Sequence, residues 1–592
     1  MVRLHTPEIH NSNTFLEVRS SCTNRQWLGL TPEQDKRSMR LKQLCNIEDI
    51  IARSLARMNL EPEEVEAFLN PKLKNIMFDP SDLLDMDKAA HRIYRGIIAG
   101  EKFAVISNGR LGSICSAASL NKWLASYSKD IDHLRIEKDA EGYFPTKNQF
   151  EELSKGHGVI ICLGCGTNFK FHSDWTPDTD VIVVDDQISV EQLPKVYALI
   201  NSNRFDENPD LSYLGIAGMF FLLMVATNRL LRNNNRPTVD LYHFLDLIAL
   251  GTVSDHLPMI KINRALVRIG LASVHKRENA ALTELLDTLS LKKPITSSQM
   301  AFQLGSRICA GDVIQKSQLG LDLLSTINRR KSTEIVNQLN DLYRTSKDLN
   351  EEYYEKFYLK ISDTSTDTPL IWAFHENCPL GIVENIVARI NQETGKPTIL
   401  MTHVGSKVIA IGQSIPGINL GIVVTNCIND KLVEVGGGNA MWILLELLPQ
   451  NINHFTERVI AELYFQRETW KDTFPVFIDG LLTTRGVTIS LIEKLSQLEP
   501  FGINSPKPRY GFANQFIRSR VNLGNEQYKL VFEDEAGNRI DGFLPNTNRL
   551  QLKKFLMGSR KNKIHIAGTL TSFVKSGKTI PTIMVEDAAT PN

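Results

Sequence analysis

The sequence predicts an α/β protein with two α/β regions of unequal size, joined by a long helix and followed by a small β-barrel. Three observations support this prediction. Short continuous apolar segments alternate with helical segments in the first half, a polar stretch after Leu321 lacks internal Gly and Pro, and the residues after Pro500 alternate between strands and turns. Short apolar strands separated by helices are typical of a parallel sheet covered on both faces.

The composition is that of an ordinary globular protein. The chain has 592 residues, of which 42% are hydrophobic and 23% charged, so disorder, collagen and coiled coil are excluded for the whole chain. Lys plus Arg and Asp plus Glu both number 67, which excludes a uniformly basic nucleic-acid coat protein. Residues 501–592 contain fourteen Lys and Arg against seven Asp and Glu, a net charge of +7, so a local basic surface is expected there.

Cysteine usage and hydropathy indicate a soluble cytoplasmic protein without a membrane partner. Eight cysteines are too few for a disulfide framework. Cys162 and Cys165 form a C-x-x-C without a second pair, which we interpret as a buried pair at a strand end, with a zinc or redox site as the alternative. The longest apolar run, 214–226, is shorter than the ~20 residues of a membrane-spanning helix and predicts a buried helix. The N-terminus has no apolar signal-peptide core.

The pattern along the chain predicts five regions. They are an N-terminal helical cap at 1–75, a large α/β domain at 76–300, connecting helices at 301–365, a smaller α/β domain at 366–490 and a barrel at 491–592.

Four predicted strands of the large domain end in polar or glycine-rich tripeptides. The strands are 103–106, 159–163, 181–184 and 197–200, and the tripeptides are 107–109, 164–166, 185–187 and 201–203. Ligands of parallel sheets bind at the carboxyl ends of the strands, so we expect the chemistry at these tripeptides. In the smaller domain the sequence predicts glycine-rich turns at Gly412, Gly417 and 436–438.

Several segments identify a family resemblance. They are Asn201-Ser-Asn-Arg204, Asp246-Leu-Ile-Ala-Leu-Gly-Thr-Val-Ser-Asp255 with Asn263-Arg264 after it, Ser414-Ile-Pro-Gly417 and Leu498-Glu-Pro-Phe-Gly502. From about residue 40 to its end, the chain resembles the RecJ family of single-strand-specific 5′→3′ exonucleases in the DHH phosphoesterase superfamily. The resemblance implies a DHH parallel-sheet domain, a smaller α/β DHHA1 domain joined to it by a long helix, a C-terminal OB-type barrel and a role in DNA repair and recombination.

The resemblance also implies two Mn²⁺ or Mg²⁺ ions held by Asp and His, and this sequence departs from that pattern. The family's G-D-Y-D-V-D-G aligns with 107–113, so three aspartates are replaced. Gly164 replaces a further carboxylate, and D-H-H aligns with 185–187, so both histidines are lost. The replaced positions are Asn108, Arg110, Gly112, Gly164, Asp186 and Gln187.

We therefore predict no intact catalytic residue and no cofactor. Asp185 and Asp255 match the family's acids and are interpreted as vestigial metal ligands, with capping of the next helix as the alternative. The resemblance further implies phosphate contacts, some of them from glycine amides, for which tight turns are the alternative. The implied contact residues are Arg307, Gln413, Ser414, Gly436, Gly437, Gly438 and Asn439.

The function predicted from the sequence is that of a RecJ-family pseudoenzyme that binds single-stranded DNA, with RNA left open. Barrel aromatics would stack on bases or fill the interior. One alternative is a structural subunit that binds repair or replication proteins, and another is a weak metal-dependent exonuclease built on Asp185, Asp186 and Asp255. The barrel aromatics are Tyr510, Phe512, Phe516, Tyr528 and Phe543.

Overall fold

The structure is a computed structural model of the chain. It describes residues 14–127, 131–135, 147–167, 179–188, 193–255, 257–314, 318–362, 368–415, 417–467, 475–524, 527–545, 550–559, 562–575 and 577–591. The chain forms two compact units. The first contains the described residues between Leu73 and Trp470, and the second combines those between His5 and Lys72 with those between Lys471 and Asn592.

The strands and longer helices of the described chain follow in order. The strands are β1 (Trp27–Leu28), β2 (Phe103–Ser107), β3 (Ile131–Arg135), β4 (Val159–Leu163), β5 (Asp180–Asp185), β6 (Ala198–Asn201), β7 (Ile371–His375), β8 (Thr398–Val404), β9 (Lys407–Gln413), β10 (Val435–Gly438), β11 (Trp442–Leu447), β12 (Val476–Phe477), β13 (Gly480–Leu481), β14 (Arg509–Gly524), β15 (Gln527–Glu533), β16 (Arg539–Leu544), β17 (Ile564–Lys575) and β18 (Lys578–Ala589). The helices of seven residues or more are Pro32–Cys45, Asp49–Arg57, Pro62–Leu69, Met86–Ala99, Leu111–Ala125, Lys147–Ser154, Ile216–Asn233, Leu245–Ser254, Lys261–Lys276, Ala280–Thr288, Leu319–Ser325, Arg329–Ser362, Leu380–Thr394, Leu420–Asn429, Ile452–Arg467, Ile489–Leu495 and Leu550–Gly558.

A five-stranded parallel sheet in the order β3-β2-β4-β5-β6 forms the centre of the first subdomain, residues 73–314. β2 and β4 are buried at every position, and successive side chains point to opposite faces. Val105 and Ile161 enter a large helical core, whereas Ile106 and Cys162 enter a smaller core with Phe150. The predicted doubly covered parallel sheet is confirmed. The edge strand β3 was not predicted, because its sequence Ile-Asp-His-Leu-Arg lacks a continuous apolar run.

A second, mixed sheet forms the centre of the second subdomain, residues 368–467. Its order is β10-β11-β9-β8-β7, with β7 and β8 parallel and the other pairs antiparallel. The predicted turns at Gly412 and 436–438 are wrong, because these residues lie inside β9 and β10. A Cβ at Gly412 would lie only 2.7 Å from the Ile443 side chain, so this glycine permits close cross-strand packing.

The predicted long connecting helix is confirmed as Arg329–Ser362, which has 34 residues. Its apolar side chains serve both subdomains, since Val336 and Leu339 join the core of the first and Phe357 joins the core of the second. The helix therefore links the two sheets through packing as well as through the chain.

The second unit contains a closed five-stranded barrel. The strand order is β14-β15-β16-β18-β17, and pairing of β14 with β17 closes it. Helix Leu550–Gly558 lies between β16 and β17 in the sequence, which is the arrangement of an OB-fold. The predicted barrel is confirmed.

N-terminal residues complete the core of this second unit. Leu41 and Leu55 belong to the same buried cluster as Phe512 of the barrel, and β1 pairs in parallel with β12. A buried ionic contact joins the same parts, because Arg57 Nη1 lies 3.0 Å from Asp479 Oδ2. The N-terminal helices are therefore a structural part of the barrel unit.

The apolar run and the cysteine pair both lie in buried structure. The run forms part of the buried helix Ile216–Asn233, as predicted. Among the described helices none is long and apolar enough to cross a membrane. Cys162 and Cys165 are buried free thiols at the end of β4, in agreement with the strand-end interpretation.

We predict that Arg57→Ala lowers the free energy of unfolding of the second unit by about 3 kcal/mol, because Asp479 then loses its charged partner in a buried position. The control is Arg40→Ala, whose partner Glu61 is 42% exposed, and we expect a loss below ~1 kcal/mol. Hydrogen exchange of peptides from β14 and β17 in denaturant measures both losses. Equal losses would contradict the structural role of the Arg57–Asp479 pair.

Candidate functional site

The candidate site lies at the carboxyl edge of the parallel sheet. In the register of the sheet, Ser107 is opposite Leu163, and Leu163 is opposite Val184. The residues that follow β2, β4 and β5 are therefore neighbours. Six of the eight sequence-predicted metal-motif positions come together from these strand ends, and Gly112 and Asp255 join them from adjacent helical segments.

Asn108 holds two loops together through its side-chain amide. Its Nδ2 donates to the carbonyl oxygen of Gly164 at 2.5 Å, and its Oδ1 accepts hydrogen bonds from the Arg110 N–H at 3.1 Å and from Ser113 Oγ at 2.8 Å. An aspartate here has no N–H to donate and would place a carboxylate against the Gly164 carbonyl. The local structure therefore requires the amide.

Arg110 lies between two carboxylates. Its Nη1 donates to Asp186 Oδ1 at 2.9 Å, and its Nη2 lies 3.5 Å from Asp255 Oδ1. Burial alone lowers the pKa of Arg110, but the charges of Asp186 and Asp255 outweigh this and the pKa is raised. The guanidinium stays charged and neutralises the two acids. Its carbon also lies 5.5 Å from the centroid of the Trp442 ring, within cation–π range.

The carboxylate of Asp185 is hydrogen-bonded to backbone N–H groups. It accepts hydrogen bonds from the N–H groups of Thr167 at 3.1 Å, Asp186 at 2.9 Å and Gln187 at 3.4 Å. Burial and the charge of Asp186 raise the pKa of Asp185 to about 6. The side chain thereby orders the loops after β4 and β5, whereas the described residues between β5 and β6 form no helix for it to cap.

Asp255 follows helix Leu245–Ser254, and its side chain is 4% exposed. Burial raises its pKa to about 6, although the charge of Arg110 acts in the opposite direction. Its Oδ2 lies so close to the backbone of Gly112 that a Cβ at that position would overlap it. The peptide backbone therefore occupies the space beside this oxygen.

The space beside Gly164 is also too small for a side chain unless neighbouring atoms move. Its φ is +75°, and its N–H donates to the Val184 carbonyl at 2.8 Å. A Cβ would overlap Ser113 Oγ and lie 2.8 Å from Asn108 Nδ2. Neither glycine position accepts a side chain without movement of its surroundings.

Gln187 provides a polar link between strand ends. Its Nε2 lies 3.4 Å from the Gly164 carbonyl oxygen, and its own carbonyl accepts from Asn201 Nδ2 at 2.8 Å. Asn201 also donates to Thr167 Oγ1 at 2.9 Å. Neutral amides thus fill this part of the edge.

The predicted phosphate-contact residues of the second subdomain are spread along strands and turns. Gly436, Gly437 and Gly438 lie in β10 and pair with β11. Asn439 Oδ1 accepts from the N–H groups of Met441 and Trp442 at 2.9 and 3.0 Å.

Two more of these residues lie at the end of β9. Gln413 is its last residue, and Ser414 Oγ donates to the Ile418 carbonyl at 2.8 Å. Arg307, which belongs to the first subdomain, packs against the long helix Arg329–Ser362. Its Nε donates to Asn340 Oδ1 at 3.1 Å, and its guanidinium carbon lies 4.3 Å from the Tyr343 ring centroid. The contacts of Ser414 and Arg307 are internal to the protein.

Divalent ions do not fit this arrangement. The Arg110 guanidinium forms ion pairs with the carboxylates of Asp186 and Asp255, and the Asp185 carboxylate accepts hydrogen bonds from backbone N–H groups. Mg²⁺ and Mn²⁺ require several oxygen or imidazole ligands. Across the described ranges no group of three or more His, Cys, Asp and Glu is arranged to hold a metal ion.

Sequence reasoning missed Trp442, Glu384 and Ser113 as neighbours of the site. Glu384, on helix Leu380–Thr394, adds a negative charge that raises the pKa of Arg110. No motif in the sequence connects Trp442 or Glu384 with Arg110, because they lie in different subdomains. Ser113 follows Arg110 by three residues, and because residues three apart are neighbours on a helix, this spacing could have predicted that Ser113 lies near the site.

The fold combines two α/β subdomains, with the strand-edge site in the first, and an OB barrel, and comparisons with known proteins identify its relatives. The family described as the RecJ OB domain matches residues 478–587. The chain is 23% identical to the single-stranded-DNA-specific exonuclease RecJ of Bacillus subtilis over 574 residues, which covers 95% of this chain and 71% of that protein. RecJ of Salmonella typhimurium is 24% identical over 490 residues, or 78% of this chain and 84% of that protein.

The fold agrees with that of a solved RecJ. The crystal structure of RecJ from Thermus thermophilus in complex with Mn²⁺ superimposes with a TM-score of 0.75 at 18% identity, covering 96% of this chain and 80% of that one. The chain is therefore RecJ-like, and the resemblance that the sequence indicated is confirmed.

We predict that Gly112→Ala and Gly164→Ala each destabilise the first unit by about 2 kcal/mol or more, because the new Cβ overlaps Asp255 or Ser113. Gly156→Ala is the control, since no atom lies within 4 Å of its Cβ, and we expect no loss. Thermal denaturation of the three variants gives the comparison. If the first two variants were as stable as the control, the site would have room for the missing aspartates.

Proposed function

We propose that this RecJ-like protein binds single-stranded nucleic acid without hydrolysing it. The observation that supports the loss of hydrolysis is the Arg110 guanidinium between Asp186 and Asp255. Two-metal hydrolysis requires ions that activate a water and neutralise the phosphate. A guanidinium neutralises carboxylates but coordinates no water as a Lewis acid, so it does not replace the ions in this reaction.

Binding is proposed to occur at an outward-facing row of the barrel, which we call the barrel strip: Val521, Lys529, Phe543 and Phe573. Val521 is paired with Lys529 across β14 and β15, and Lys529 with Phe543 across β15 and β16, so these three side chains share one face. The Phe543 and Phe573 rings lie 5.3 Å apart. Oligonucleotides bind OB-folds on the second and third strands and adjoining loops, and Lys529 and Phe543 lie on those two strands, β15 and β16.

The exposure of the aromatics supports this choice of face. Tyr510 and Phe512 are buried and fill the interior, whereas Phe516, Tyr528 and Phe543 are partly exposed. Phe573, which the sequence analysis did not single out, is 43% exposed. Aromatic rings that are partly exposed are suited to stacking with bases of any sequence, while Lys529 within the strip is itself paired with Asp541.

Charge supports the same face. Several basic side chains of the barrel are neutralised by acids, as in the Arg518–Glu533 and Lys563–Glu535 pairs. Lys578 is exposed at the start of β18, beside the hairpin that contains Phe573. The net charge of +7 over 501–592 would attract a phosphate backbone.

We expect no degradation of a 5′-labelled single strand on addition of Mn²⁺, and no Mn²⁺ binding at micromolar affinity by calorimetry, because the carboxylates are occupied by Arg110. RecJ of Thermus thermophilus, a single-stranded-DNA-specific exonuclease, is the positive control. Two bound ions together with release of labelled nucleotides would overturn the proposed inactivity and favour the weak exonuclease.

We expect Phe573→Ala to weaken single-strand binding in EDTA about tenfold, because one stacking platform is lost. Lys578→Ala should reduce the slope of log affinity against log salt by about 1, since one phosphate contact is lost. Fluorescence anisotropy over a salt series measures both.

Phe465→Ala is the matched control, because Phe465 is 81% exposed but lies on helix Ile452–Arg467 of the other unit. If Phe573→Ala and Lys578→Ala both bind like the unchanged protein, the barrel strip is not the binding surface. A protein that binds no single strand at all would favour the interaction-subunit alternative.

A further inference from the structure

The two subdomains of the first unit meet next to the candidate site. The Ile188 N–H, after β5 in the first subdomain, donates to the Gly438 carbonyl of the second at 2.7 Å. The Ile188 side chain packs against Gly421, where a Cβ would overlap it. Beside this contact the Arg110 guanidinium faces the Trp442 ring at 5.5 Å. Strand ends of one subdomain are thus joined to a strand and a helix of the other.

Arg110 is paired with acids of its own subdomain and faces a ring of the other subdomain. Asp186 and Asp255 belong to the first subdomain and bind its guanidinium nitrogens. Glu384 belongs to the second subdomain, and its negative charge also favours the charged form of Arg110. With Arg110 removed, Asp186 and Asp255 would lie beside the contact without a cation, and Trp442 would lose the charged group that faces its ring. Like charges in a partly dry contact repel strongly, so the cation favours the closed arrangement.

The backbone prepares Arg110 for this position. Gly109 has a φ of +77°, which turns the chain sharply after Asn108. Asn108 Oδ1 then binds the Arg110 N–H, and Arg110 precedes helix Leu111–Ala125 directly. The side chain therefore starts from a fixed backbone position at the sheet edge.

We infer that Arg110 is a positioning residue that ties the second subdomain to the first, acting as a permanent cation at the sheet edge. This inference goes beyond the proposed function, since it concerns the association of the subdomains and holds with or without nucleic acid. A bound metal ion exchanges with solvent, whereas a guanidinium is part of the chain. The association of the two subdomains through Arg110 therefore does not depend on divalent ions.

The test is hydrogen exchange at the Ile188 amide, measured on the full-length protein in EDTA by mass spectrometry with residue-level fragmentation. We expect Arg110→Ala to accelerate exchange of this amide about a hundredfold, because the substitution removes the cation that faces Trp442 across the contact and leaves Asp186 and Asp255 beside it without a charged partner. The matched control is Arg92→Ala. Arg92 is also a buried, ion-paired arginine of the first unit, with Glu101 at 2.6 Å, but it lies at the opposite edge of the same sheet.

A second variant keeps the test decisive if Arg110→Ala does not fold. Trp442→Leu removes the ring and leaves the Arg110 ion pairs in place, and we expect about fivefold faster exchange at Ile188. Equal exchange at Ile188 in Arg110→Ala and Arg92→Ala would overturn the inference, and so would unchanged exchange in Trp442→Leu. No metal or nucleic acid is present, so these outcomes are independent of the proposed binding and inactivity.

Discussion

A guanidinium group that is buried away from water needs negatively charged groups and hydrogen-bond acceptors around it. In this protein that requirement applies to Arg110, and it organises the carboxyl edge of the first sheet. Asp186 comes from the end of β5 and Asp255 from the end of a helix, and both turn toward the same cation. The surrounding loops are arranged so that this cation has two acids and an indole ring within reach.

The remaining residues of the edge suit a site without a metal ion. Asn108 donates to a carbonyl that a carboxylate would repel, and Gln187 and Asn201 bind neighbouring backbone or hydroxyl oxygens. Gly112 and Gly164 leave no room for side chains. The scaffold superimposes on Thermus thermophilus RecJ with a TM-score of 0.75, and in this chain a polar network fills the carboxyl edge of its first sheet.

In the second unit, the N-terminal helices stabilise the small barrel but leave the barrel strip partly exposed. N-terminal helices share its buried cluster, and the Arg57–Asp479 pair joins the two parts. Phe543 and Phe573 remain outside the barrel core, next to each other. Apolar surface that stays in contact with water has an unfavourable free energy, so an aromatic pair of this kind agrees with a binding face.

The sequence by itself determined the parallel sheet, the long helix and the barrel, because buried strands and amphipathic helices have periodicities that can be read locally. It also predicted, from their places in a motif, that Asn108, Arg110 and Gly112 replace metal ligands, and this stays a prediction. It misassigned 436–438 as a turn, because glycine is compatible with both a turn and a closely packed strand. Only the tertiary structure decided that Arg110 reaches Asp255 and Trp442. Those partners are distant in sequence, and long-range pairing depends on how the elements pack rather than on any local pattern.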